Sequence, residues 1–323
     1  MSLAILNKLV ALLLTVAMGY VGGRLRWFGH EAATQVFSAA ALYLFIPALL
    51  FRTTSRIALA ELPLGVLGAY FVPALAVLLG VYVQQRRARE RSGPEVAVPA
   101  VRALAATFGN TVQMGIPVAL ALYGEAGLGL HLTIVSIHAL VLLSITTLLA
   151  ERDLARERMR ADPGISRWSV LASMLRSTLI HPVVLPVLAG LLFNATGLAL
   201  PGFVDETLAL LGLAVVPLCL VLIGLSLADY GLAGRTRPAL ALALVKLVLL
   251  PAAVLCVAYA GFGLRGVPLS VLVMAAALPV GANPLIFAQR YRTLEAETVA
   301  AIVVSTLGFA LTAPLWLVLL QHL

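Results

Sequence analysis

Phe108-Gly109-Asn110-Thr111-Val112-Gln113-Met114-Gly115-Ile116-Pro117 interrupts an apolar run that extends from about residue 99 to 123. Two glycines, an amide pair and a proline stand where an uninterrupted membrane helix would avoid them. Such a break frees backbone N–H and C=O groups that lipid cannot satisfy, so the segment must be buried in protein or line a cavity. Asn110, three residues ahead of Gln113, reads as a cap whose side chain accepts from the start of a new half-helix. The alternative is a proline-kinked helix packing through small residues, and this segment alone does not separate the two.

A second interruption separates them: Ala277-Leu278-Pro279-Val280-Gly281-Ala282-Asn283-Pro284, about 170 residues further on. Other landmarks keep nearly the same offset, including Gly19 with Gly190, Pro47 with Pro217, Gly109 with Pro279, and Ser136 with Ser305. A shared offset marks an internal repeat. Asn283 before Pro284 reads as an N-cap and first helical residue, since proline lacks only a donor that the first turn leaves unpaired. Two broken helices in related positions point to a binding site rather than to paired structural kinks. Their N-terminal ends would aim partial positive charge into a crossing near the midplane, which favours anions.

The rest of the chain fits a bilayer. Of 323 residues 62% are hydrophobic and 11% charged, with a mean hydropathy of +1.04, whereas soluble domains carry about 25% charged residues. Apolar runs recur at about 3–23, 32–51, 63–83, 99–123, 128–150, 178–198, 206–228, 238–260, 267–290 and 298–321, each near the length that crosses a hydrocarbon core of roughly 30 Å. Leu3 to Gly23 reads as a first span, being longer than a signal-peptide core and lacking a basic stretch ahead of it. The segment from Glu151 to Arg176 places Trp168, Leu171 and Leu175 at helical spacing and predicts an interfacial helix. Cys219 and Cys256 lie inside apolar runs, which excludes a disulfide scaffold, and the runs lack the alternation of a transmembrane barrel. The expected fold is all-α, with ten transmembrane helices arranged as two five-span repeats, 1–160 and 161–323. Five is odd, so the second repeat enters the membrane inverted, an architecture of secondary transporters.

Charge sets the expected orientation. The net charge of +8 comes almost wholly from loop arginines, a pattern of topology and not of nucleic-acid binding. Seventeen basic residues, among them Arg86, Arg102, Arg156, Arg235 and Arg290, fall on one side, against Lys8, Arg52, Arg56 and Arg265 on the other. The positive-inside rule puts the larger set in the cytoplasm and both termini outside. The excess of Arg, Ala, Leu and Gly is what a GC-rich bacterial genome encodes, so the expected location is a bacterial cytoplasmic membrane.

Within the spans, Lys246 stands alone as a deep cation. Intramembrane charge is costly and should face the bundle interior or water. Its two readings are attraction of a substrate carboxylate and a tether to exposed helix carbonyls. No Asp or Glu is expected in mid-span, which argues against a carboxylate-based antiporter. His131 and His138 lie seven apart on one face and read as packing histidines ahead of a proton relay. Ser136 and Ser305 rank below the asparagines, because hydroxyls in membrane helices commonly bond their own backbone. The candidate substrate-binding set is therefore Gly109, Asn110, Thr111, Gln113, Pro279, Asn283, Lys246, His181, Ser136 and Ser305, with no catalytic residue, metal or cofactor. Neither a Gly-x-Ser-x-Gly elbow nor a His-Glu-x-x-His pair is present, so an intramembrane enzyme ranks last. A channel or receptor scaffold is the nearer alternative to a carrier.

The chain also resembles the auxin efflux carrier family, including its bacterial malonate-transporter-like members. The resemblance rests on Ile46-Pro47-Ala48-Leu49-Leu50-Phe51, on Gly109-Asn110-Thr111 with Met114-Gly115-Ile116-Pro117, on His181-Pro182, Ala277-Leu278-Pro279 and Val304-Ser305-Thr306. It implies a scaffold of spans 1, 2, 6 and 7 that forms homodimers, a moving unit of spans 3–5 and 8–10, and elevator-like transport of a small organic anion. Family members commonly carry Asn before the span-six proline, where this chain has His181.

Overall fold

The computed structural model describes residues 3–27, 32–56, 63–92, 96–161, 184–230 and 236–323, and between them residues 168, 172, 176, 179, 180 and 182. The described chain is almost entirely helical. Its α-helices are α1 Leu3–Arg24, α2 Ala32–Ala40, α3 Ile46–Thr54, α4 Leu64–Ser92, α5 Val98–Thr107, α6 Ile116–Ala161, α7 Val184–Ala195, α8 Gly202–Tyr230, α9 Thr236–Leu244, α10 Leu250–Cys256, α11 Gly266–Ala277, α12 Asn283–Arg290 and α13 Glu295–Gln321. Among the described residues, six segments are long and apolar enough to cross a membrane, and Val98–Thr107, Val184–Ala195 and Gly266–Ala277 are shorter apolar helices. The outer surface matches that reading, with Leu213 74% and Leu311 75% exposed, an apolar coat that water would not tolerate over a whole molecule.

Prolines explain several local departures. Wide π-helical turns at Ala41–Phe45, Thr111–Gly115 and Val245–Leu249 each end two residues before a proline, at Pro47, Pro117 and Pro251. A proline donates no bond and its ring crowds the carbonyl four residues back, so the preceding turn widens. The amides of Ile46 and Leu250 accordingly reach back five residues, to Ala41 and Val245. Pro251 leaves the Leu247 carbonyl without its helical donor, and Trp316 Nε1 supplies one at 2.9 Å.

Two groups of helices emerge from the packing. In one, α1 lies along α8, and α3 packs on α7 and α8. In the other, α4 pairs with α5 and α10, α9 with α13, and α11 with α6, α10 and α13. The α1–α8 contact is close because of glycine: a Cβ on Gly224 would sit 2.1 Å from the Val16 carbonyl oxygen, and one on Gly19 would sit 2.4 Å from that of Val221. Gly190, the residue that the repeat offset pairs with Gly19, plays the same part on α7, against Thr54 and Phe51 of α3. Small residues of this kind are what lets helices approach in lipid, where the hydrophobic effect supplies no drive between them.

The start of the segment expected to form an interfacial helix belongs to α6. Residues up to Ala161 continue α6, whose backbone leaves helical geometry only at Gly124 (φ 64°, ψ −161°), a left-handed turn suited to glycine. The extension is possible because two of its acidic residues, Glu151 and Asp153, are buried and paired. Tyr82 donates to Asp153 at 2.9 Å, Arg86 lies 3.4 Å from the same carboxylate, and Tyr291 donates to Glu151 at 3.0 Å. Arg102 holds Glu297 through two bonds of 2.7 and 2.9 Å and reaches Gln85 at 2.7 Å, joining α4, α5 and α13. At the far end of α3, Arg52 pairs with Asp205 at 2.8 and 3.2 Å. Trp168 is exposed, and Leu171 and Leu175 lie outside the described residues.

The close packing gives a direct test. Gly224→Ala forces α1 and α8 apart, with an expected cost of about 1–3 kcal/mol, read as a lower melting temperature of the purified protein in detergent. Gly80→Ala, inside α4 with nothing within 4 Å of the new Cβ, should melt at or above wild type. Equal melting of both variants would mean that the glycine contact does not hold these helices together.

Candidate functional site

The two sequence interruptions meet. Gly109 and Val280 form an antiparallel bridge, in which Asn110 N–H donates to the Pro279 carbonyl at 2.8 Å and Gly281 N–H to that of Phe108 at 3.0 Å. Each broken helix thus satisfies the other's backbone, as the absence of water in a bilayer demands. Gly281 is required there, because a Cβ would lie 2.9 Å from the Gly109 oxygen. Pro279, one of the candidate site residues, contributes its carbonyl to this bridge.

In such a bridge the amides of the two central residues point away from each other, and side chains receive them. His138 Nε2 accepts from Gly109 N–H at 3.2 Å. Ser305 Oγ accepts from Val280 N–H at 3.0 Å while donating to the Ile302 carbonyl at 3.1 Å. Accepting at Nε2 places the neutral His138 proton on Nδ1, which faces Tyr70 Oη at 3.4 Å. His131 holds the opposite tautomer, donating from Nε2 to the Thr111 carbonyl at 2.7 Å. That carbonyl is available because the wide turn sends Gly115 N–H back to Asn110 instead.

Lys246 is fully buried behind the bridge. Its ammonium donates to the carbonyl of Ala276, at the C-terminal end of α11 where carbonyls lack helical partners and carry partial negative charge. A Cβ on Gly109 would lie 3.4 Å from Nζ, so only the Gly109 backbone separates the ammonium from the other side of the crossing.

On that other side lies a cavity of about 120 Å³. Gly109, Asn110, Thr111 and Asn283 of the candidate set line it, together with His138 and, from the first helix group, residues of α3 and α8 such as Ile46, Thr54, Val215 and Cys219. No Lys, Arg, Asp or Glu is among its described lining residues. Lys246, Pro279 and Ser305 instead stand behind the crossing. The side chains of Gln113 and Ser136, and all of His181, lie outside the described residues.

Both cap expectations are corrected. Asn110 occupies the position before the Thr111 turn but makes no side-chain cap bond, and its Oδ1 is buried without a partner. The wide π turn displaces the amides that a regular first turn would present to a cap. The helix α12 begins at Asn283 itself, with Ala282 ahead of it and Pro284 second, because Leu285 N–H closes onto the Ala282 carbonyl. Sequence reasoning also missed the α3 and α8 walls. Their one signal was the Pro47–Pro217 match, which marks both lining helices.

Comparison with known proteins agrees with this architecture. The chain belongs to the membrane transport protein family, the auxin efflux carrier type, whose model matches residues 4–317. It is 29% identical over 318 residues to the uncharacterized transporter YfdV of Escherichia coli K12, covering 97% of this chain and 96% of that protein. It is 24% identical over 322 residues to an uncharacterized transporter of Methanothermobacter thermautotrophicus, with 97% and 98% covered. The chain is therefore a multi-pass membrane protein of a transporter family.

Two substitutions test the support behind the bridge. Ser305→Ala strands a buried N–H, at about 1–3 kcal/mol, and should lower the melting temperature, whereas Ser305→Thr keeps an acceptor and should restore it. Lys246→Met removes the donor from the Ala276 carbonyl and should also melt earlier. Wild-type melting of Ser305→Ala would show that Val280 N–H finds another partner.

Proposed function

We propose that this protein is a secondary carrier that moves a small organic anion across a bacterial cytoplasmic membrane by elevator-like alternating access. In this reading ten spans form two inverted five-span repeats. The helices α1 to α3, α7 and α8 are the scaffold, through which the protein dimerises, and the remainder are the moving unit. The observation that carries the proposal is the crossing itself: two interrupted helices bridged at Gly109 and Val280, opening onto a cavity between the two helix groups. Thr111 and Asn283, at the two half-helix starts, line it, and the partial positive charge of a helix start favours a carboxylate.

The cavity's lining follows α3 toward Thr54, and in the other direction a second hollow of only about 10 Å³ lies among Leu42, Ile46, Leu143, Ile286 and Phe287. Arg290, which also lines this hollow, donates to Tyr43 Oη at 2.8 Å, a contact between the two helix groups. Given the arginine asymmetry, the Thr54 end is outside, so this arrangement is the outward-facing one. Movement of one group against the other would break the Arg290–Tyr43 bond and open the cytoplasmic side.

Proteoliposome counterflow tests the proposal. Preloaded unlabelled malonate or lactate should accelerate entry of the same labelled anion, and uptake should saturate. Linear, non-saturating flux would indicate a channel, and no flux or binding with any carboxylate would overturn the anion reading. Asn110→Ala and Asn283→Ala should each lower uptake at least about tenfold while remaining monodisperse, since a lost polar contact in the cavity wall costs binding more than folding.

A further inference from the structure

The Lys246 amino group is fully buried, and among the described residues the Ala276 carbonyl is its one hydrogen-bond partner. An ammonium carries three donors. The wide turn that holds Lys246 joins α9 to α10 and packs on α5, α11 and α13. Among the described residues of these helices no opposite charge faces it. There is no titratable side chain in α11. Arg102 of α5 is paired with Glu297 of α13, and Glu295 stands beside Glu297 in the first turn of α13. Arg237 lies at the start of α9, and Cys256 ends α10 exposed. From α6, His138 accepts the Gly109 amide and His131 is bonded to the Thr111 carbonyl. A buried charge without a counter-charge is costly. An anion in the cavity on the other side of Gly109 and a proton on Lys246 therefore favour each other.

We propose that Lys246 is the proton-coupling site of the carrier: its amine takes up one proton as the anion enters, so that anion and proton cross together. The inference rests on the anion-carrier reading above and adds what accompanies the anion. Two basic groups meet at Gly109, and the geometry distinguishes them. His138 must keep Nε2 unprotonated to receive Gly109 N–H, so charging it would strip the bridge of an acceptor. Lys246 takes the proton on its lone pair and loses no bond, because amine and ammonium alike donate to Ala276. The coupling is reciprocal, since whatever the anion adds to proton affinity the proton adds to anion affinity. A monocarboxylate then moves without net charge.

Calorimetric titration of the purified full-length protein with lactate and with malonate measures that proton. Binding heats in buffers of different ionisation enthalpy give the protons taken up per anion, between about pH 7 and about pH 9, where carboxylic acids of this kind are ionised. Uptake should rise with pH toward about one proton, and affinity should fall by up to about tenfold per pH unit as it does. Lys246→Met should bind more weakly, with no uptake and no such fall. Lys246→Arg keeps a donor and a permanent charge, and should bind without uptake. Where a variant does not fold, the wild-type titration decides. Binding with zero uptake throughout that range in the wild type would overturn the inference, make Lys246 a structural tether and leave the anion reading standing. Uptake that persists in either variant would overturn the assignment to Lys246. Absence of binding by both acids at every pH would remove the anion reading, and this inference with it.

Discussion

A helix interrupted inside a bilayer leaves amide and carbonyl groups with no water to take them, and every feature of the crossing answers that constraint. Neither break could exist alone. The Gly109–Val280 bridge satisfies two amides mutually, and His138 and Ser305 receive the two that the bridge turns outward. Lys246 then supplies a donor to a carbonyl at the end of α11. Glycine at 281 permits the approach. Removing one member therefore exposes another's unpaired group, so these residues act as a unit rather than as separate contributions.

Helices elsewhere follow from the same accounting. Prolines remove donors, the turn before each widens, and freed carbonyls find side chains such as Trp316 and His131. At the helix ends, where water and headgroups lie close, charge takes over. Glu297 is buried yet held by two bonds from Arg102, because an unpaired carboxylate there would be far more costly than the pair. These tethers tie α4, α5, α6 and α13 to one another, and Arg52 ties α3 to Asp205 of α8 within the other group. Between the two groups the packing is apolar, with Ile46, Leu50 and Leu222 in one buried cluster with Leu104, Leu142 and Ile302.

Much of this was legible in sequence because its physics is local. Gly109, Asn110 and Asn283 stand out since glycine, amide and proline are anomalous in an apolar run, and the repeat offset joins the two breaks. Lys246 stands out for the same reason, although the Ala276 carbonyl that it meets is 30 residues away and has no sequence signature. What stayed hidden was pairing. Glu151 and Asp153 read as the start of a polar interfacial helix, and nothing in the sequence pairs them with Tyr291, Tyr82 and Arg86. His138 reads as a packing histidine, and only the bridge geometry makes it the acceptor for Gly109. The asparagine caps failed because the proline-widened turn moves the amides that a regular helix would have presented.

The placement of charge has a consequence for any ligand. A cation within the cavity would hold an anion through a direct pair, and the anion would then leave slowly. Here Lys246 is already engaged with a helix end and separated from the cavity by the Gly109 backbone, so its field reaches the site without contact. Partial charges at the Thr111 and Asn283 helix starts act the same way. On the proposed anion-carrier reading such a field would bias the cavity toward negative charge through a low-dielectric wall, and discrimination would fall to the neutral groups that line it, whose bonds are individually modest. That reading assigns attraction and recognition to different groups. On the carrier reading that division suits turnover, since binding energy concentrated in one buried ion pair would deepen a single state and oppose the movement that must follow.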